Sequence, residues 1–195
     1  MSLDRKRLRQ EKIQARDHLD PETRERLSLQ VVQRILASVE FQQAKTVLIY
    51  RAIRGEVRLY ALETAPEAAG KRLVYPRCTG AGEITALLPK GPAPWKPGPF
   101  KIEEPILEQS ELILPEELDL VLCPCTVFDE ACSRMGMGGG FYDRYLPRCR
   151  NACIASVAFE VQKTPHIPTA AWDWPMDLVF TEEAVYATPS GRNRS

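Results

Sequence analysis

The segment with the clearest chemical character is residues 134–146, with the sequence RMGMGGGFYDRYL. Its loop positions are Gly136, Met137, Gly138, Gly139 and Gly140. Glycine has no Cβ and tolerates positive φ, so successive N–H groups in such a run can converge on one anion. A helix beginning near Phe141 would add free N–H groups and the positive end of its dipole. The run therefore predicts a phosphate-binding loop, with a flexible surface loop as the alternative.

The residues that flank the glycines favour phosphate over a plain surface loop. Arg134 supplies a counter-charge, and Asp143 supplies a possible ligand for a metal ion that accompanies the phosphate. The common nucleotide motifs do not fit, because the Gly-Lys-Ser/Thr of a Walker A loop is absent and the third glycine of the dinucleotide fingerprint is missing. The HRD and DFG sequences of a protein kinase are absent as well. These residues alone predict an anion-binding loop without naming the anion.

The overall composition limits the classes of protein to which the chain can belong. Its 195 residues fit one domain, and 44% hydrophobic with 27% charged residues is ordinary for a globular protein. Lys+Arg and Asp+Glu are equal at 26 each, so we expect no nucleic-acid or membrane partner. Because no apolar run approaches the length of a membrane span and the N-terminus is charged, we expect a cytoplasmic protein. We also expect a monomer.

The cysteines are candidates for metal or redox chemistry. They are Cys78, Cys123, Cys125, Cys132, Cys149 and Cys153. A single residue separates Cys123 from Cys125, which is too short for a C-x-x-C redox or zinc pair, and His18 and His166 fall at no zinc-ligand interval. The alternation of Cys123 and Cys125 within a strand pattern places both on one face. We therefore predict structural free thiols in a reducing compartment, with Cys123 and Cys125 directed into the core.

Helices and strands alternate along the chain and must hold the chemical residues in place. Predicted helices cover residues 2–18, 21–38, 57–69 and 141–150. Predicted strands cover residues 46–50, 72–75, 84–88, 118–127, 154–159 and 178–180. Residues 89–105 hold six prolines, so we expect an irregular surface segment there. A disordered tail is predicted for residues 189–195.

This alternation predicts a three-layer α/β/α sandwich with a largely parallel sheet, formed by a single domain over residues 1–188. In such sheets, ligands bind beyond the carboxyl ends of the strands. Residues 50–56, 76–77, 128–129 and the glycine loop then lie along one edge, and Glu56 brings an acid to it. The sequence therefore predicts a pocket that combines a phosphate cradle with a carboxylate, without naming the substrate.

Several segments, in order along most of the chain, resemble one known enzyme family. They are Arg5 with Leu8-Arg9, Gly55-Glu56-Val57, Tyr75-Pro76-Arg77, residues 100–105, the LDLVLCP run at 118–124, Phe128-Asp129, the glycine loop with its FYDR continuation, residues 158–162 and residues 172–177. The family is that of the 5-formyltetrahydrofolate cyclo-ligases, also called 5,10-methenyltetrahydrofolate synthetases. The glycine-loop motif is specific, and the matches follow the order in which the family carries them.

The resemblance implies an ATP- and Mg²⁺-dependent ring closure of 5-formyltetrahydrofolate to 5,10-methenyltetrahydrofolate, with release of ADP and phosphate. In this family the formyl oxygen attacks the γ-phosphate of ATP, and the N10 nitrogen then displaces phosphate from the resulting imidate phosphate. Phosphorylation is useful here because it turns a poor leaving group into a good one. Phosphoryl transfer itself asks mainly for positioning and charge neutralisation.

The resemblance also implies a role for each matching side chain. The residues implied to bind ATP are Arg5, Arg9, Arg134, Gly136, Met137, Gly138, Gly139, Gly140, Phe141 and Tyr142. Glu56 is implied to accept hydrogen bonds from the pterin of the folate, which Phe141 and Tyr142 would orient. Asp143 and Asp173 are implied to coordinate Mg²⁺ as hard oxygen ligands.

Structural alternatives exist for these roles: a solvated helix face for the N-terminal arginines, an exposed turn or a helix cap for the acids, and packing for one aromatic residue. The loop also departs from the R-L-G-R-G-K-G-Y-Y-D form common in the family. Met137 and Gly139 stand where basic residues often lie, and Phe141 replaces a tyrosine.

The sequence leaves two rival functions open. One is a folate- or nucleotide-binding module without turnover, and the other is an enzyme like a sugar-phosphate isomerase that uses no ATP.

Overall fold

A mixed eight-stranded sheet forms the centre of the protein in a computed structural model, which describes residues 3–79, 82–91, 94–98 and 102–188. The strands along the chain are β1 (Thr46–Leu48), β2 (Arg72–Thr79), β3 (Glu83–Pro89), β4 (Trp95–Pro97), β5 (Glu103–Pro105), β6 (Ser110–Ile113), β7 (Leu120–Pro124), β8 (Val127–Phe128), β9 (Arg134–Met135), β10 (Cys153–Val157), β11 (Leu178–Phe180) and β12 (Val185–Ala187). The order in the main sheet is β12-β11-β10-β7-β1-β2-β3-β6. The tail predicted over residues 189–195 lies outside the described residues.

The centre of this sheet is parallel and its margins are antiparallel. Strands β11, β10, β7, β1 and β2 pair in parallel with their neighbours. Strand β12 on one side and strands β3 and β6 on the other pair antiparallel. The predicted α/β class with a largely parallel sheet is therefore confirmed. All the parallel strands present their carboxyl ends at the same edge, which is where ligands bind in such folds.

Helices cover the sheet from both sides. They are α1 (Leu3–Asp17), α2 (Pro21–Ala37), α3 (Val39–Gln43), α4 (Ala61–Thr64) and α5 (Phe141–Tyr145). Helix α2 begins where the sequence predicts it, because the Asp20 carboxylate accepts a hydrogen bond of 2.9 Å from the N–H of Thr23 and Pro21 occupies the first turn. Its buried face includes Val31 and Ile35. None of the helices in the described ranges is long and apolar enough to cross a membrane.

Alternate residues of the parallel strands face two separate hydrophobic clusters. Val47 of β1 packs in the cluster that α2, α3 and α4 cover, while its neighbour Leu48 packs in the cluster that includes Tyr145 of α5. Leu120 and Val121 of β7 divide in the same way. This alternation produces the predicted three layers, because strands that are covered on both sides bury every residue.

Two predicted helices are shorter in the structure. The stretch over residues 57–69 contains only α4 and a 3₁₀ turn at Pro66–Ala68. Pro66 lacks an N–H and its ring would clash with the preceding turn, so the helix stops before it. The helix expected over residues 141–150 ends at Tyr145 and gives way to a 3₁₀ turn at Leu146–Arg148, which contains a proline.

Three strand predictions also need correction. Strand β2 continues through Pro76 to Thr79. The proline is tolerated inside the strand because β1 pairs with β2 only as far as Val74, while β3 pairs with the other side of β2. The proline-rich segment 89–105, expected to be irregular, contains the two-stranded sheet of β4 and β5. The long strand predicted over residues 118–127 is divided into β7 and β8.

All six cysteines are free, as predicted, and Cys123 and Cys125 share one hydrophobic cluster.

Candidate active site

A cavity of about 310 Å³ opens where the parallel strands β1, β2 and β7 end. Residues of the predicted site that line it are Glu56, Arg134, Gly136, Met137, Gly138, Gly139, Gly140, Phe141, Tyr142 and Asp143. Residues 128–129, which the sequence also placed at this edge, do not line it. Asp129 instead accepts hydrogen bonds of 2.9 Å from the N–H groups of Ser133 and Ile167, so it fixes local backbone.

The glycine loop takes backbone conformations that require glycine at two positions. The φ angle is +104° at Gly138 and +68° at Gly140. A Cβ on Gly140 would lie 2.7 Å from Nη1 of Arg144, so the guanidinium would have to move, and the positive φ would strain the backbone in addition. The loop therefore presents bare backbone to the cavity, as an anion cradle needs. Helix α5, which follows, has only five residues, so its dipole adds less than the longer predicted helix would have added.

Arg134 and Asp143 form an ion pair in the wall of the cavity. Nη2 of Arg134 donates to Oδ1 of Asp143 at 2.7 Å, and Nη1 donates to the Pro124 carbonyl at 3.3 Å. The Arg134 side chain is 2% exposed and that of Asp143 is 21% exposed. Oδ2 of Asp143 accepts no hydrogen bond within the described part of the chain. The pair thus combines a buried positive charge with a carboxylate oxygen that is available to a ligand.

The three other predicted residues, Arg5, Arg9 and Asp173, lie beside the glycine loop and outside the lining of the cavity. Arg9 donates through Nε to the carbonyl of Gly136 at 2.7 Å, so α1 contacts the loop directly. Burial, and then the positive charge of Arg5, lower the pKa of Arg9. Arg5 holds both carboxylate oxygens of Asp173, at 2.5 and 2.8 Å. The predicted metal ligand Asp173 is therefore already paired.

Glu56 lies in the wall of the cavity with 6% of the residue exposed, which excludes the exposed-turn alternative. It closes a tight turn, since its N–H donates to the Ile53 carbonyl at 2.9 Å and the Ile53 N–H donates to its Oε2 at 3.0 Å. Burial raises the pKa of Glu56 to about 7, against the opposing effects of the Ile53 N–H, Arg16 and Arg54. Its Oε1 accepts no hydrogen bond from any described residue. A ligand with paired N–H donors could therefore bind here.

The structure adds residues to the cavity that sequence reasoning missed. The carboxylate of Glu104 is 4% exposed and accepts a hydrogen bond of 3.0 Å from the N–H of Cys78. The Arg51 guanidinium lies 4.4 Å from the ring centre of Trp95 and 5.1 Å from that of Tyr75. The sequence signal for Glu104 and Trp95 was weak, because both lie in the proline-rich segment that predicts no regular structure. Arg51 lies in the 50–56 stretch that the sequence placed at this edge without giving the arginine a role. Arg51, Tyr75 and Glu104 line the cavity and extend it with aromatic and polar surface.

The acids of the described residues do not gather into a metal site of their own, since no group of three or more His, Cys, Asp or Glu side chains that could hold an ion is found among them. Mg²⁺ in nucleotide sites is usually held by one or two carboxylates together with substrate phosphates and water. The single available oxygen of Asp143 beside the glycine loop suits that arrangement.

A parallel sheet with a glycine loop, a buried arginine and a buried acid at the carboxyl ends of its strands defines an α/β protein with a candidate anion-binding pocket. A sequence model described as the 5-formyltetrahydrofolate cyclo-ligase family matches residues 1–182. The chain therefore belongs to this family of enzymes, and the family predicted from the sequence motifs is confirmed.

Individual relatives agree with the family assignment. The chain is 33% identical over 152 residues to the 5-formyltetrahydrofolate cyclo-ligase of Haemophilus influenzae, with 75% of this chain and 80% of that protein covered. It is also similar to an NMR structure of Aquifex aeolicus 5,10-methenyltetrahydrofolate synthetase, with a TM-score of 0.84, 35% identity, and coverage of 97% and 95%. A 5,10-methenyltetrahydrofolate synthetase from Mycoplasma pneumoniae shares the fold, with a TM-score of 0.74, 24% identity, and coverage of 93% and 100%.

Proposed function

We propose that this protein closes the ring of 5-formyltetrahydrofolate to give 5,10-methenyltetrahydrofolate, using ATP and Mg²⁺ and releasing ADP and phosphate. The observation that carries the proposal is that one cavity holds both a glycine loop with a buried arginine and a buried carboxylate suited to a pterin. These are the binding groups that the two substrates of such a reaction need. Membership of the cyclo-ligase family supports the same reaction.

The proposed chemistry has two steps. The formyl oxygen attacks the γ-phosphorus of ATP and ADP leaves, which gives an imidate phosphate on the folate. The N10 nitrogen then attacks the activated formyl carbon and releases its proton to solvent, and phosphate leaves with the former formyl oxygen. The phosphoryl transfer needs the attacking and leaving oxygens to be held in line and the charge on the phosphate oxygens to be neutralised.

The charged side chains divide between the two substrates. Arg134 and the glycine loop would bind the ATP phosphates, and Arg9 would support the loop from α1 through its contact with Gly136. Glu56 would accept hydrogen bonds from adjacent N–H donors of the pterin. Phe141 and Tyr142 would orient the two ligands in the cavity that they line.

Asp143 fits Mg²⁺ better than Asp173 does. Oδ2 of Asp143 is available at the cavity wall, whereas both oxygens of Asp173 accept from Arg5 and Oδ2 also accepts from the Ala170 N–H at 2.7 Å. When bound, Mg²⁺ would neutralise phosphate charge. Asp173 would need to leave Arg5 before it could serve as a ligand. The monomeric state and cytoplasmic location expected from the sequence stay predictions.

Absorbance in the methenyl-folate band tests the proposal directly. Purified protein is mixed with 5-formyltetrahydrofolate, with and without ATP and Mg²⁺. We expect a rise that requires both ATP and the metal. Absence of a rise, with folate still quenching protein fluorescence, would favour a binding module without turnover. Absence of both signals would refute the assignment of this cavity to folate.

Gly138→Ala is expected to raise the KM for ATP about tenfold and to leave the KM for the folate unchanged. An alanine at the φ of +104° strains the loop, because L side chains rarely adopt this region. Gly70→Ala is the matched control, since Gly70 has φ +80° and a Cβ there meets nothing within 4 Å. It should destabilise the fold to a similar degree without changing either KM. An equal effect of both variants on ATP use would contradict the phosphate role of the loop.

A further inference from the structure

Arg16 is a charged residue that the roles above do not use, and it is completely buried, with 0% exposed. It lies near the C-terminal end of α1, eleven and seven residues after Arg5 and Arg9, so all three arginines fall on one side of the helix. Its Nε and Nη1 find no hydrogen-bond partner among the described residues. A buried guanidinium with unsatisfied donors is strongly unfavourable unless a nearby charge or a bound ligand compensates for it.

The one hydrogen bond that Arg16 makes within the described part of the chain holds the turn that carries Glu56. Its Nη2 donates to the carbonyl of Arg54 at 2.6 Å. This turn is strained at Arg54, whose φ is 45°, whereas the φ of 77° at Gly55 is one that glycine adopts readily. A Cβ on Gly55 would lie 3.6 Å from Nε of Arg16 and 3.1 Å from Oδ1 of Asp17, so the end of α1 forms the floor of the turn. Movement of Arg16 would therefore release the backbone that positions Glu56.

The charge of Arg16 also reaches Glu56. The two side chains form no direct ion pair among the described residues, yet Arg16 lowers the pKa of Glu56, as does Arg54 on the same turn. The phenols of Tyr50, two residues after the end of β1, and of Tyr142 from α5 also interact electrostatically with Glu56. The other charged groups among the described residues that line the same cavity are Arg51, Glu103, Glu104, Arg134 and Asp143. Burial raises the pKa of both phenols well above the ordinary value, so they stay neutral. The positive charge that stabilises the Glu56 carboxylate thus comes from two arginines, and only Arg16 is buried beneath it.

We propose that Arg16 is a positioning residue for the folate: its guanidinium holds the 53–56 turn in shape and places a positive charge behind Glu56, whose carboxyl group accepts the pterin donors. The inference rests on the proposed role of Glu56 in folate binding. Arg16 does not touch the substrate, because it is buried behind the turn. It acts through the backbone of Arg54 and through its charge.

Arg16→Met tests this role with an uncharged side chain that suits a buried position. We expect the KM for 5-formyltetrahydrofolate to rise about tenfold at neutral pH, while the KM for ATP changes by less than about twofold. Without the positive charge, Glu56 takes up its proton at higher pH. The pH at which folate affinity falls to half should therefore move upward by about one unit. Arg16→Lys keeps the charge and should keep the midpoint of the wild type.

Two controls separate this role from general damage to the fold. Arg24→Gln removes a guanidinium whose Cζ lies 3.4 Å from a Cβ on the same Gly55, and it should leave the pH midpoint unchanged. The double variant Arg16→Met/Glu56→Gln should have the folate KM of Glu56→Gln alone, since Arg16 acts through Glu56. Additive effects in the double variant, or a higher KM with an unmoved pH midpoint, would overturn the proposal. A displaced midpoint in Arg16→Lys would do so as well.

A titration of Glu56 in the free protein distinguishes failure of this inference from failure of the proposed reaction. Carbon-13 NMR of the glutamate carboxyl groups, with Glu56→Gln to assign the signal, reports the midpoint without any substrate. An upward shift in Arg16→Met supports the electrostatic link, even if the wild type proves unable to cyclise the folate. An unshifted midpoint in an active enzyme would overturn the role of Arg16 and leave the reaction intact.

Discussion

Replacing Arg134 with alanine is expected to raise the KM for ATP about 100-fold and to leave the KM for 5-formyltetrahydrofolate within about threefold of its normal value. The side chain is 2% exposed, and a Cβ on Gly136 would lie 3.1 Å from its Nη1, so the charge sits directly under the glycine loop. Removing one preorganised donor to developing anionic charge typically costs about 3 kcal/mol. Steady-state kinetics with each substrate varied in turn measures the two constants.

The main alternative is that Arg134 only balances the charge of Asp143. Arg134→Ala leaves that carboxylate without its partner, which would destabilise the fold by about 3 kcal/mol if the pair were fully buried. Arg134→Ala/Asp143→Asn removes both charges and restores neutrality. If the double variant regained the ATP affinity of Asp143→Asn, Arg134 would have no role of its own toward phosphate. Arg134→Lys should fall between the wild type and alanine, because it keeps the charge and loses the planar fork.

The parallel centre of the sheet could be predicted because its strands are short apolar runs bounded by turns. Strand β7 buries four of its five residues, which gives the continuous apolar signal of a strand covered on both faces. Strands β6 and β12 could not be predicted, since they lie at the margins of the sheet and bury almost none of their side chains. Without burial, an edge strand carries no hydrophobic pattern that distinguishes it from a loop.

The residues of the candidate site also divide into those that the sequence could predict and those that it could not. The glycine loop and Glu56 could be predicted because both follow apolar strands, where local spacing already places them at the ligand-binding edge. The pairing of Arg5 with Asp173 could not, since 168 residues separate them and only the packing of α1 brings them together. The burial of Arg16 could not be predicted from the sequence either, for a similar reason. In a basic helix, an arginine that enters the core looks like one that faces solvent.

Glu56→Gln is expected to raise the free energy of unfolding by about 3–4 kcal/mol at pH 8 while raising the KM for the folate about 100-fold. Glutamine keeps the shape of the side chain and can still accept the hydrogen bond from the Ile53 N–H. It removes a charge that burial makes unfavourable in the folded protein. Loss of paired, charge-assisted hydrogen bonds to the pterin accounts for the effect on the KM.

The pH dependence of the free energy of unfolding follows from the raised pKa of Glu56 and gives the sign of the stability change. Because burial raises the pKa of Glu56 from 4.5 to about 7, the folded protein keeps a proton that the unfolded chain has released between these values. The stability of the wild type therefore falls as the pH rises through this window and is constant above it, at about 1.4 kcal/mol per pKa unit. Urea unfolding should show a difference between the variant and the wild type below about 1 kcal/mol at pH 5 and the full difference at pH 8.

Stabilisation of the same size at both pH values would assign the effect to packing and not to ionisation. A variant that lost folate affinity without gaining stability would mean that the free protein already compensates the Glu56 charge. In that case the carboxylate would be preorganised for the pterin at little energetic disadvantage, and Arg16, buried beneath the turn, is the group placed to provide the compensation. Repeating the unfolding measurement in Arg16→Met would then decide the matter, because the stability gained by Glu56→Gln should grow when Arg16 is absent.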